Sequence, residues 1–147
     1  MRTITEIIVH CTATPRSRNV SAADVDRWHR QRGFNQIGYH YLIRLDGSVE
    51  TGRPESSVGA HCLGHNAESI GVAYAGGTER DGTPADTRTN AQKSSLIKLL
   101  TDLVSRYPGA LIRGHRDFAR KACPSFDATA EYALLCGGLK QPPDTGR

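Results

Sequence analysis

Three short apolar runs, rich in β-branched residues, most constrain what this chain can fold into. They are Glu6-Ile7-Ile8-Val9-His10-Cys11, Ser69-Ile70-Gly71-Val72-Ala73-Tyr74-Ala75 and Ala110-Leu111-Ile112-Arg113-Gly114. Such runs read as buried strands of a sheet covered on its faces. Helical patterns stand between them. Ser21 with Asp24 is an N-cap with an acidic N3 residue. It predicts a helix over 22–32, with Val25, Trp28 and His29 on one stripe and Gly33 closing it. Thr89 with Gln92 is a second capping box, opening an amphipathic helix to about Tyr107 with Leu96, Leu99, Leu100 and Leu103 inward. Gly38 to Arg44 alternates like a strand, Asp46-Gly47 is a hairpin turn, and Ser48 to Thr51 returns. Residues 52–66 read as irregular loop and 78–88 as a surface loop. Asp127 caps a last helix expected over 128–136. The order βαββ(loop)βαβ(loop)α predicts one α/β domain: a central mixed sheet flanked by helices. At 147 residues the chain is long enough for one core without staples. The domain is expected over 1–138, with a flexible tail over 139–147.

Side chains alternate along a strand, so His10 shares a face with Ile8 and not with Val9 or Cys11. Thr12-Ala13-Thr14-Pro15 breaks the run, which leaves His10 near the strand's C-terminal end. His115 follows the last run directly. Ligand clefts gather at strand ends of this kind, so the two imidazoles converge from the first and last strands. Cys123 lies a short loop further on. Two neutral imidazoles and a thiolate are donors that Zn²⁺ prefers, and three protein ligands leave a fourth position open, as in catalytic sites. Each residue also has a plainer reading. A histidine at a strand end can be a hydrogen-bonded core residue, and a buried cysteine behaves as a small hydrophobe. HExxH and paired CxxC motifs are absent, so spacing alone leaves both readings open. Alternation lets only one of Tyr39 and His40 face the cleft. Lys121 either lowers the Cys123 thiol pKa, offers a cation to a developing oxyanion, or is an ordinary solvated lysine.

Net charge is +4. That suits an anionic partner such as a bacterial wall, and equally a surface tuned for solubility. The basic residues form no block and aromatics are few, which argues against a nucleic-acid binder. No apolar run approaches the roughly 18 residues of a membrane span. Glu6 falls where a signal peptide needs its apolar stretch, so synthesis in the cytoplasm is expected, with release by other means. Four cysteines without a CxxC pair read as reduced thiols, with Cys11 and Cys136 in the core. A monomer is expected.

The segments Ile8-Val9-His10-Cys11-Thr12-Ala13-Thr14, Gly38-Tyr39-His40-Tyr41, Gly59-Ala60-His61, Ser69-Ile70-Gly71-Val72 and Lys121-Ala122-Cys123-Pro124-Ser125-Phe126 carry a resemblance. In this order the chain resembles the zinc-dependent N-acetylmuramoyl-L-alanine amidases of the peptidoglycan-recognition-protein superfamily, above all the short phage members. The likeness runs from Glu6 to Phe126. It implies a zinc ion at the floor of a groove, held by His10, His115 and Cys123. It implies Tyr39 and Lys121 as assisting catalytic residues, His61 and Asn66 as substrate-binding residues, and a structural His40. The implied activity is hydrolysis of the amide between N-acetylmuramic acid and L-alanine in peptidoglycan, as a phage endolysin. Arg120 departs from the phage pattern, which tends to proline there. The nine residues before His10 are shorter than the arm of some phage members, so no second, regulatory interaction carries over. Three other readings stay open: a non-catalytic peptidoglycan-binding module, a cytosolic amidase recycling anhydro-muropeptides, and a thiol hydrolase using Cys123 with His115.

Overall fold

The structure, a computed structural model, describes residues 2–136. The expected tail and the boundary at residue 138 lie outside the described residues. Seven strands form in chain order: β1 Glu6–Cys11, β2 Thr14–Pro15, β3 Tyr41–Ile43, β4 Val49–Thr51, β5 Ser69–Tyr74, β6 Gly77–Thr78 and β7 Leu111–Gly114. Five of them make the main sheet in the order β4-β3-β5-β1-β7. β1 runs parallel to both β5 and β7, and β3 parallel to β5, while β3 and β4 form the antiparallel hairpin. The sheet is therefore mixed, as expected. The three apolar runs are its centre: every residue of β5, and all of β1 but Glu6, is buried.

Both capping boxes form. In α1 (Ala22–Gln31), Ser21 Oγ accepts from the Asp24 N–H at 3.1 Å and the Asp24 carboxylate accepts from the Ser21 N–H at 3.0 Å. In α2 (Asn90–Arg106) Thr89 and Gln92 exchange the same pair of bonds. Such caps contribute about 1 kcal/mol each. Gln92 does more than cap. It is fully buried, and its amide donates to the Ala75 carbonyl at 2.9 Å, which locks the helix start to the sheet.

The helices divide the two faces. Leu96, Leu100 and Leu103 of α2 pack with Ile7, Val9, Ile70 and Val72 into the larger core. On the other face Val25 of α1 packs with Val20, Leu42 and Ala73, over β3 and β5 only. Side chains from β1 and β7 are absent from that smaller cluster. The face of β1 that carries His10 is therefore left for a groove.

Four details differ from the expectations. The strand expected over 38–44 is shorter, because the Gly38 N–H donates to His29 Nδ1 at 2.8 Å and Tyr39 turns toward the cleft. The small parallel pair β2–β6 was not anticipated, being too short for any periodic signal. Residues 78–88 are not wholly a surface loop: Thr78, Thr87 and Arg88 are buried. The Arg88 guanidinium is taken by Asp86 and Glu131 at 2.8 Å and lies 3.4 Å from the Phe126 ring centroid. Paired carboxylates are what permit a buried arginine. The last helix, α3, spans only Ala128–Glu131 before a 3-10 turn at Ala133–Leu135. Tyr132 leaves helical backbone there, its ring buried against Phe126 and its hydroxyl accepting from Arg88 at 2.8 Å.

Glu55 ties loop 52–66 to α2. It accepts both Arg106 nitrogens, at 2.7 and 2.9 Å, and the hydroxyls of Tyr107 and Tyr41. These partners, Arg106 first, hold its pKa down from 4.5 to about 2. A depressed carboxylate stabilises the fold above its unfolded pKa, and that stability is lost as pH falls through the folded value. Glu55→Gln should therefore cost on the order of 2 kcal/mol near pH 6, and the difference from the parent should close between pH 4.5 and 2. Urea unfolding across that range measures it. Parallel stability curves would rule Glu55 out as the responsible group.

Candidate metal centre and groove

The register of the sheet brings the first two donors together. Val9 pairs with Gly114 across the parallel β1–β7 ladder, so the next residue on each strand is His10 and His115. Their ring centroids lie 4.6 Å apart. The third donor comes from the loop after β7, which is pinned to the sheet's C-terminal edge at three points. The Tyr74 hydroxyl donates to the Pro124 carbonyl at 2.7 Å, and Ser125 Oγ donates to the Gly77 carbonyl at 2.8 Å. The Cys11 N–H donates to Cys123 Sγ at 3.1 Å, a bond suited to a thiolate. Ser125 adopts φ +72°, a conformation that costs a non-glycine residue energy and persists only where its surroundings hold it.

As a result His10, His115 and Cys123 each offer one donor atom, and the three lie within 4.8 Å of one another. Zinc bonds of about 2.0–2.3 Å need donors roughly 3–4 Å apart, so the set is of the right scale. His10 Nδ1 stands 3.9 Å from Cys123 Sγ. Burial, then the charges of neighbouring residues, holds the pKa of His10 well below its ordinary value, and burial lowers that of His115. Both rings are thus neutral, the form that binds metal. The donor set fits a zinc ion.

The Cys123 thiol lies beside both Cys11 and Lys121. The adjoining Cys11 thiol and burial push its pKa up, and the opposing pull of Lys121 is the smallest contribution. Lys121 thus acts on this thiol in the expected direction, without overcoming the two larger contributions. All four cysteines are unbridged, with Cys11 and Cys136 buried in the core as expected.

His115 and Cys123 line a groove of about 720 Å³, with His10 buried beneath them. Tyr39, His61, Asn66 and Lys121 also line it, so every expected site residue but the buried His10 lines one cleft, and His10 packs against its His61, His115 and Tyr39. Tyr39 stacks obliquely on His10, with centroids 5.1 Å apart, and burial raises its phenol pKa. His40, its neighbour, points the other way: Nδ1 accepts the Gly71 N–H at 3.0 Å and Nε2 lies 2.8 Å from the Ser57 carbonyl. Asn66 Oδ1 accepts the His61 and Cys62 N–H groups at 2.8 and 2.9 Å, which shapes the groove wall. Arg32, Phe34 and Phe118 also line the cleft and were not anticipated. Arg32 and Phe34 flank Gly33, the residue that marked only a helix end. Phe118 stacks on His65 at 3.9 Å, joining two loops whose meeting no local pattern announces.

Comparison with known proteins agrees with this geometry. The family described as N-acetylmuramoyl-L-alanine amidase matches residues 1–126, a span that contains all three donors. The chain belongs to that family. This amidase is 46% identical over 121 residues to the endolysin of Escherichia phage T7, covering 82% of the chain and 80% of the relative. It is 43% identical over 122 residues to the endolysin of Klebsiella phage KP32, covering 83% and 81%. Among solved structures, the N-acetylmuramoyl-L-alanine amidase LysC from Clostridium intestinale superimposes with a TM-score of 0.79 at 33% identity, covering 92% of this chain and 87% of that one. Among the described residues no helix is long and apolar enough to cross a membrane.

Proposed function

We propose that this amidase is a zinc-dependent phage endolysin that cleaves the bond between N-acetylmuramic acid and L-alanine in peptidoglycan. The supporting observation is the meeting of His10, His115 and Cys123 beside a groove that His115, Cys123, Tyr39 and Lys121 line. Zinc held by these three residues supplies a Lewis acid for the scissile carbonyl and for water. The chain's own residues do the rest. Lys121 places an ammonium beside the donors, where negative charge grows on the carbonyl oxygen. Tyr39 stays a phenol and donates a hydrogen bond to the reacting oxygens. Arg32 and Lys121 are the cations of the groove lining, which contains no carboxylate. The cleft is thus complementary to an acidic stem peptide, and no glutamate stands by as general base. Asn66 shapes the wall against the substrate, and His61 lies in the same lining next to His10.

The catalytic domain spans residues 1–138, acts as a monomer, and reaches the wall after release from the cytoplasm. Purified wall suspension tests the activity. A chelator should abolish turbidity loss and Zn²⁺ should restore it, while mass analysis should find released stem peptides with free L-alanine amino termini beside intact glycan strands. Lysis that survives metal stripping, or fragments cut between sugars, would overturn the proposal.

A further inference from the structure

His61 faces His10 from the side opposite the other two donors, and everything around it fixes its ring. Its N–H is held by Asn66 Oδ1 at 2.8 Å. A Cβ added at Gly71 would lie 2.7 Å from its Cγ, and one at Gly59 would lie 2.7 Å from its Cδ2. Two glycines thus cut a slot that only this ring fills. Its Nδ1 is 2.8 Å from His10 Nε2, and its Nε2 is 3.2 Å from Ser69 Oγ. Ser69 is fully buried at the start of β5, and His61 is 9% exposed, leaving little of it for substrate. His40, the nearest other ring, spends both nitrogens on Gly71 and Ser57 and does not compete.

Ligation of a metal through His10 Nδ1 selects one placement of protons along the chain. His10 Nδ1 faces Cys123 Sγ, so to offer a lone pair there His10 must carry its proton on Nε2. That proton is donated to His61 Nδ1. His61 then carries its own on Nε2 and donates it to Ser69 Oγ. An imidazole ligand whose other nitrogen is engaged in this way is fixed in tautomer and orientation and is a better donor.

We infer that His61 is a positioning residue for the metal ligand His10, anchored in turn by Ser69, and not chiefly a substrate contact. The inference rests on the zinc site proposed above. It is tested on the metal-free chain by zinc affinity, from competition with a chromophoric chelator, and by the visible spectrum of the cobalt(II)-substituted protein. His61→Ala should weaken zinc binding by roughly ten- to a hundredfold and shift the cobalt bands. His61→Asn sets an amide oxygen near the lost acceptor and should recover most of the affinity. Ser69→Ala, which removes only the anchor, should weaken zinc by a smaller factor with KM unchanged. Parental zinc affinity and cobalt spectrum in His61→Ala, with KM alone raised, would overturn the inference and make His61 a substrate residue. If His61→Ala does not fold, parental affinity in both His61→Asn and Ser69→Ala, with the cobalt bands of each unmoved, would overturn it instead. Parental protein that takes up no zinc would remove the metal site itself, a distinct failure.

Discussion

Cys123→Ser is expected to lose bound zinc and amidase activity in the same step. A serine hydroxyl does not ionise near neutral pH, so the site would keep two imidazoles and lose its one soft anionic donor. Disturbing a partner behind a ligand already costs ten- to a hundredfold in affinity, and removing a ligand outright should cost more than about a hundredfold. The change is nearly isosteric at a residue held by the Cys11 N–H, so the fold should survive. Metal content by elemental analysis and turbidity loss, read on one preparation, check the result. Cys11→Ala is the companion measurement. Cys11 contributes its backbone N–H to the site and its side chain to the core, and it stands outside the donor trio. That variant should keep its zinc. Full metal and full activity in Cys123→Ser would dismantle the assignment of this ligand, and loss of zinc in Cys11→Ala alone would move it to the neighbour.

The parts of the fold legible in the sequence were those with a local physical cause. Ser21/Asp24 and Thr89/Gln92 announce helix starts because a side chain three residues away must satisfy an otherwise unpaired N–H. The three β-branched runs announce buried strands because each residue has two covered faces to fill. Register is different in kind. That His10 meets His115 follows from Val9 pairing with Gly114, a contact between strands far apart in sequence, and spacing alone left it open. Donor chemistry nominated the trio and the resemblance implied it as a zinc site; the ladder explains why its two histidines meet. Arg88 was misread for a related reason, since a polar run looks exposed until Asp86, Glu131 and Phe126 are seen to enclose it. At Cys123 the sequence showed the smaller influence only: Lys121, near in sequence, pulls the thiol pKa down as expected, whereas Cys11, which outweighs it, is near only in space.

Lys121→Ala should leave the metal in place and slow the reaction by about 10²–10³, the usual cost of removing one donor to a developing oxyanion. The electrostatics separate the two effects. The Lys121 charge reaches His10, His115 and Cys123, where it opposes protonation of the imidazoles and would equally oppose a bound cation. Against that, the same charge favours the deprotonated ligands that bind metal, so the two effects of its removal oppose each other and the zinc affinity should stay near the parental value. The side chain is exposed, so little packing is lost. The loss should appear in kcat with KM nearly unchanged, because the ammonium meets a full negative charge only in the transition state. Lys121→Arg, which keeps the charge on a bulkier head, should recover part of the rate. A Lys121→Ala protein that sheds its zinc, or one that works at the parental rate, would show that this lysine is the ordinary solvated residue its sequence position also allows.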